Sequence, residues 1–227
     1  MKLRGYETVM EPRNTSEELE NEVVDMLLQE VQAAYPLFAR FIEAKRKLME
    51  LEEFHIYDVQ APLGNIEKEF PFEQAVKLHL ETMADFDPEF HAYSLDMLES
   101  GRIDAFPQYG KRSGAFASYR AGEPSFVLLN HTNKLRDVST LSHELGHATH
   151  GHLSQGQKPA VYDSPLSLAE TASIFNEMLL SEKIRKELST EEYREFLNEK
   201  LSDTFATIFR QIQYIVFERR AHEAIFK

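Results

Sequence analysis

Residues 143 to 147 read His-Glu-Leu-Gly-His. Two histidines four apart on an α-helix sit about 40° apart on one face, one turn removed, so their imidazoles can share one metal ion. The glutamate after the first histidine lies about 100° round, where its carboxylate reaches a water at the metal without binding the metal itself. This H-E-x-x-H spacing is that of zinc hydrolysis: His143 and His147 as ligands, Glu144 as catalytic base. A chance match in a chain of this length has a probability of about half a percent at ordinary composition. The bland reading is a surface helix that happens to carry two histidines.

A third ligand is required. One solution puts a histidine ten residues after His143 and a glycine six after it. Those positions are Leu153 and Thr149, so that solution fails. The other is a glutamate on a following helix. Ser164-Pro165 is a helix start, and the text after it runs LSLAETASIFNEMLLSEKI. Glu170 falls among Leu168, Ala169, Ala172 and Phe175, where a bare carboxylate is costly to bury and a zinc ion offsets the cost. Asp163, in the preceding loop, is the rival. Glu177 comes seven residues after Glu170, about 20° from it in helical projection. It suits an acceptor that orients a ligand histidine from behind; its bland reading is a surface carboxylate.

His150 projects to the metal side of the same helix and is read as support for the site or as core packing. His152 projects to the opposite face, as a solvated residue. His55, His79, His91, His131 and His222 stand alone in sequence and are read as structural.

Helices must carry this chemistry, and most of the chain has helical periodicity. Residues 16–50 form one stretch divided near Pro36; 71–84 and 88–100 form two helices broken at Asp87-Pro88; the motif helix runs from about 137, with Asp137 as N-cap, to 153; a second zinc helix covers about 165–187; a long C-terminal helix covers about 189–226, with Phe205, Ile208, Phe209, Ile212, Ile215 and Val216 along one face. Between about 103 and 131, Ile103–Phe106, Ser113–Tyr119 and Ser125–His131 read as short strands separated by Tyr109-Gly110-Lys111 and Ala121-Gly122-Glu123-Pro124. The expectation is a mainly α fold, read as a single catalytic domain over 1–227, with a sheet of two to four strands beside the motif helix. An extended peptide along strand 113–119 or 125–131 would take backbone hydrogen bonds; Gly114, Ala115, Phe116 and Ala117 are the substrate-binding candidates. An ordinary hairpin strand is the bland alternative.

Of 227 residues, 42% are hydrophobic and 28% charged, the composition of a folded globular protein. The net charge is -13 without a basic cluster, which argues against nucleic acid and anionic membranes as partners. There is no cysteine, so thiolate zinc sites, disulfides and a cysteine nucleophile are excluded. That absence, with no signal-peptide pattern and no membrane-length apolar run, leads to the expectation of a cytoplasmic protein. Oligomeric state is not readable from these features.

The chain resembles the oligoendopeptidase F and thimet oligopeptidase group of metallopeptidases. The resemblance runs from Gly110-Lys-Arg-Ser-Gly-Ala-Phe through Phe126-Val-Leu-Leu-Asn130 and Asp137-Val-Ser-Thr-Leu-Ser-His-Glu-Leu-Gly-His to Ala169-Glu-Thr-Ala-Ser and Asn176-Glu177. Weaker matches upstream are Arg4-Gly-Tyr6, Lys45-Arg-Lys-Leu and Tyr57-Asp58 with Pro62. It implies a zincin-like (gluzincin) fold, one Zn2+ per chain, and cleavage of short unstructured peptides. It implies His143, His147 and Glu170 as ligands and Glu144 as base, with His150 and Glu177 close by. Family members extend further at both ends, and beyond the point where this chain stops they carry a histidine and tyrosines that help bind substrate and the oxyanion. The expectation is therefore a truncated portion with poor turnover, and the alternative function is a zinc-bearing peptide-binding fragment.

Overall fold

The computed structural model describes residues 4–64, 66 and 68–226. In chain order the elements are α1 (Glu11–Ser16), α2 (Asn21–Ala33), α3 (Tyr35–Leu48), α4 (Phe72–Phe86), α5 (Pro88–Glu99), β1 (Ile103–Asp104), β2 (Phe116–Arg120), β3 (Glu123–Leu128), α6 (Leu135–Leu153), α7 (Leu166–Ala169), α8 (Thr171–Glu187), α9 (Thr190–Thr204), a π-helical segment (Phe205–Arg210) and α10 (Gln211–Phe226). The fold is mainly helical with one small sheet. The chain forms two compact units, residues 1–65 with 189–227, and residues 66–188.

In the first unit, Leu28 and Val31 of α2 bury against Ile212 of α10, with Val24, Phe209, Ile215 and Val216 around them. The helix anticipated over 189–226 is interrupted by the π-helical segment. A π turn takes in an extra residue and rotates the succeeding turns, so the apolar face does not run straight through: Phe205 and Ile212 are buried while Ile208 is exposed. The loop after α3 is anchored by buried charge. Lys45 Nζ donates to the Val59 carbonyl at 2.7 Å, and the Leu63 and Gly64 amides donate to Glu195 Oε2 at 2.6 and 2.9 Å.

The second unit is built around α6. Val138, Leu141, Leu145 and Ala148 of this helix are fully buried, as are Met83 on α4, Met97 on α5 and Leu180 and Ile184 on α8. The start of α6 lies two residues earlier than the sequence suggests. Asp137 is in the first turn, not at the cap, and its Oδ2 accepts from the Lys134 and Thr132 amides at 3.0 and 2.6 Å. Asp87 does cap α5, accepting from the Glu89 and Phe90 amides at 2.8 and 3.3 Å.

The sheet order is β1-β3-β2, with β1 parallel and β2 antiparallel to β3. Register pairs Ile103 with Val127 and Ala117 with Val127 on either side of the central strand. The β2–β3 turn is tighter than anticipated: Glu123 and Pro124 already belong to β3. β2 is thus an edge strand, and it packs against α6 through Gly151, where an added Cβ would lie 2.5 Å from Tyr119 Cγ.

Candidate metal centre and active site

His143 and His147 project from α6 one turn apart, and their Nε2 atoms are 3.2 Å from each other. Glu170 Oε2 lies 3.2 Å from His143 Nε2 and 3.3 Å from His147 Nε2. Three donor atoms at the corners of a near-equilateral triangle have no proton arrangement that satisfies every edge. Donors held tetrahedrally about 2.0 Å from a common ion stand about 3.3 Å apart. The trio therefore fits a metal ion of zinc's size and ligand preference. It is the one group of this kind among the described residues, and neither Asp163 nor His150 belongs to it.

The sequence argument that Glu170 is buried among apolar neighbours does not hold. Its side chain is 54% exposed, and Leu166, Leu168 and Phe175 are exposed as well. The continuous helix expected over 165–187 is broken at this residue, which ends α7 and precedes α8. The break turns the carboxylate out of the helix flank, toward the two imidazoles.

Behind the trio stands Glu177, one turn and more into α8. Its Oε1 is 2.7 Å from His143 Nδ1. A carboxylate there accepts the Nδ1 proton, which leaves the Nε2 lone pair free to face the cluster. Burial pulls the His143 imidazole down, but the hydrogen bond and charge of Glu177, joined by Glu144 and Glu170, outweigh it and leave His143 raised. His147 is lowered, chiefly by burial, against the charge of Glu170 and a hydrogen bond to the Ala169 backbone.

Glu144 is only 6% exposed. Burial raises its carboxyl pKa, while His143 and a hydrogen bond from the Ala117 backbone work against the rise. The edge strand thus touches the glutamate directly. Of the candidate substrate-contacting residues, Phe116 and Ala117 belong to β2, whereas Gly114 and Ala115 precede it in a loop. Gly114 has φ +82°, and its carbonyl accepts from Asn130 Nδ2 at 2.8 Å.

His150 is half-buried near His147, with Nδ1 buried and lacking a hydrogen-bond partner in the structure. His152, expected to be merely solvated, stacks on Tyr93 of α5 at a centroid distance of 4.0 Å. His79 and His131 are structural: His79 is held between Ser142 and Ser94, and His131 Nε2 donates to the Phe70 carbonyl at 2.8 Å. Two residues at this site escape a reading of the sequence. Ser173 Oγ lies 2.8 Å from Glu170 Oε2, and Gly146 sits where α6 and α8 touch. A glycine inside a helix is costly and signals a close approach, and Ser173 closes the Ala169-Glu-Thr-Ala-Ser run that carries the resemblance, but neither signal says what the residue touches.

The chain belongs to Peptidase family M3, whose profile matches residues 1–227. It is 34% identical over 223 residues to the chromosomal oligoendopeptidase F of Lactococcus lactis subsp. cremoris, covering 97% of this chain and 37% of that protein. It is 31% identical over 224 residues to oligopeptidase PepF of Bacillus subtilis (strain 168), covering 97% of this chain and 33% of that one. Among solved structures it resembles a Chlamydophila abortus protein with a provisional peptidase designation: TM-score 0.88 and 32% identity, over 99% of this chain and 38% of the other. Oligoendopeptidase F from Enterococcus faecium aligns with TM-score 0.63 and 25% identity, over 98% of this chain and 32% of its own. The chain spans roughly a third of the length of each of these proteins. Among the described residues, no helix is long and apolar enough to cross a membrane.

Proposed function

We propose that this chain is the metal-binding portion of a zinc-dependent, zincin-like (gluzincin) endopeptidase that hydrolyses short unstructured peptides, acting in the cytoplasm. Residues 1–227 are read as part of one catalytic domain, a reading the family match over the same span supports. The single observation that carries the proposal is the convergence of His143 Nε2, His147 Nε2 and Glu170 Oε2 at 3.2–3.3 Å. A zinc ion held there supplies Lewis acidity, which polarises a peptide carbonyl and acidifies water.

The remaining work falls to this chain's side chains. Glu144, raised by burial, takes a proton from the attacking water and later delivers it to the leaving amine. Its hydrogen bond from Ala117 fixes the carboxylate beside the edge strand. Glu177 holds the His143 ring in the tautomer whose Nε2 can bind. A substrate backbone laid along β2 through Phe116 and Ala117 is recognised by main-chain groups, which suits broad peptide specificity.

The test is elemental analysis of protein purified without chelator, followed by cleavage of an unstructured peptide. One zinc per chain is expected. His147→Ala and Glu170→Ala should lose it, and Glu144→Gln should keep it and lose hydrolysis. Zinc-free wild-type protein would overturn the proposal. Zinc-loaded protein that binds the peptide without cleaving it would make the chain a binding fragment.

A further inference from the structure

We propose that Ser173 is the positioning residue for the Glu170 carboxylate, and that the close crossing at Gly146 is what brings it there. The inference rests on the zinc reading of the cluster. Of the three donor residues, Glu170 is the least steered by its own surroundings. It falls at a break between two helices and its side chain is 54% exposed. Ordering so flexible a side chain carries an entropic cost that works against metal binding. Glu177 steers His143, and the Ala169 backbone steers His147.

For Glu170 that part is played by a hydroxyl. Ser173 is fully buried. Its Oγ stands 2.8 Å from Glu170 Oε2 and 3.0 Å from the Glu170 carbonyl oxygen. The single hydroxyl proton is shared between them, so one group restrains both the backbone at the break and the carboxylate. Oε2 is also the oxygen that faces both Nε2 atoms. The hydroxyl therefore occupies one lone pair of the ligating oxygen and leaves the other aimed at the centre of the triangle.

Ser173 reaches that place because α6 and α8 meet backbone to backbone. A Cβ at position 146 would lie 2.7 Å from the Ala172 carbonyl oxygen and 2.7 Å from Ser173 Cα. Neither atom is the end of a flexible side chain that could swing aside. Any larger residue at 146 would drive Ser173, and Glu170 with it, away from the histidines. An interior helical glycine is less favourable than alanine, and this crossing is what requires it.

The test is competitive titration of the metal-free chain with Zn2+ against a chelator of known affinity, with the visible absorption spectrum of the Co2+-loaded protein as a second readout. Ser173→Ala should weaken zinc binding about 10- to 100-fold, the range for losing a partner that orients a metal ligand, and should shift the Co2+ bands while far-ultraviolet circular dichroism stays unchanged. Ser173→Cys keeps the volume without the strong donor; it should weaken binding in the same direction and guards against a folding defect in the alanine variant. Gly146→Ala should weaken binding at least as much. A purely structural serine would lower the melting temperature and leave the Co2+ spectrum alone. Wild-type affinity and spectrum in both serine variants would overturn the inference with the zinc reading intact; a wild-type chain that binds no zinc would overturn both.

Discussion

Two neighbouring residues of α6 lead to opposite fates for a histidine. Ser142 faces inward and meets His79 of α4, whose Nδ1 is 3.1 Å from Ser142 Oγ and whose Nε2 is 3.0 Å from Ser94 Oγ. Both ring nitrogens are spent on neutral hydroxyls in a site closed to water. Burial, helped by the charge of His91, pushes the His79 pKa down to about 3. His79 is a neutral strut tying α4, α5 and α6 together. The next residue, His143, is partly exposed and faces His147 and Glu170. A carboxylate takes its Nδ1 proton, and its Nε2 is turned toward another imidazole nitrogen and a second carboxylate. What separates the proposed ligand from the strut is the identity of the groups at the two ring nitrogens: carboxylate and imidazole at His143, neutral hydroxyls at His79.

The largest effect that tests this contrast is on the glutamate beside His143. Glu144→Gln should lower peptide hydrolysis about 100- to 10,000-fold, the usual contribution of a positioned base, with zinc content unchanged by elemental analysis. Loss of zinc along with activity would place Glu144 among the ligands.

Glu177→Gln is next. Removing the charge behind His143 Nδ1 should weaken zinc binding about 10- to 100-fold in a chelator competition. Unchanged affinity would reduce Glu177 to a packing residue and erase the distinction between His143 and His79.

The strut has its own signature in pH. His79 binds a proton readily when the chain unfolds, near 6.5, and in the folded state only near 3. The stability it allows is complete above 6.5 and is lost as pH falls toward 3, by up to about 1.4 kcal/mol per pH unit. Urea unfolding of the metal-free chain across that window should show a steeper loss for the wild type than for His79→Gln, which offers hydrogen bonds to both serines but cannot be protonated. Parallel curves would mean that His79 titrates normally. The smallest effect is expected at His152, exposed and stacked on Tyr93. His152→Ala should cost about 0.5–1 kcal/mol in the same unfolding experiment and leave zinc affinity alone.

Glu170 shows where reasoning from sequence works and where its reason is wrong. The residue is reached by needing a glutamate on the next helix, and it does stand at the triangle. The supporting claim of burial fails, because helical projection assumes an unbroken helix and the chain breaks there. The same assumption extends one straight helix over 189–226, where the π-helical segment intervenes. The cap of α6 falls three residues before Asp137, at Lys134, for another reason: an acidic side chain in the first turn and one at the cap look alike in a sequence.

Relations that live inside one helix were legible from the order of residues alone. His143 and His147 share a face because 3.6 residues make a turn, and no packing arrangement can undo that. Composition excluded thiolate chemistry, and short β-rich runs located the sheet. Tertiary structure decided every relation that crosses between elements. The hydrogen bond from Ala117 to Glu144, the seat of Glu177 behind His143, the reach of Ser173 to Glu170 and the insertion of His79 between two serines all depend on how closely α4, α8 and β2 approach α6. The approach of α8 is set where its backbone meets Gly146, and that of β2 where the Tyr119 side chain lies over Gly151. A sequence period gives the direction in which a side chain leaves its helix; only close packing sets what stands at the end of it.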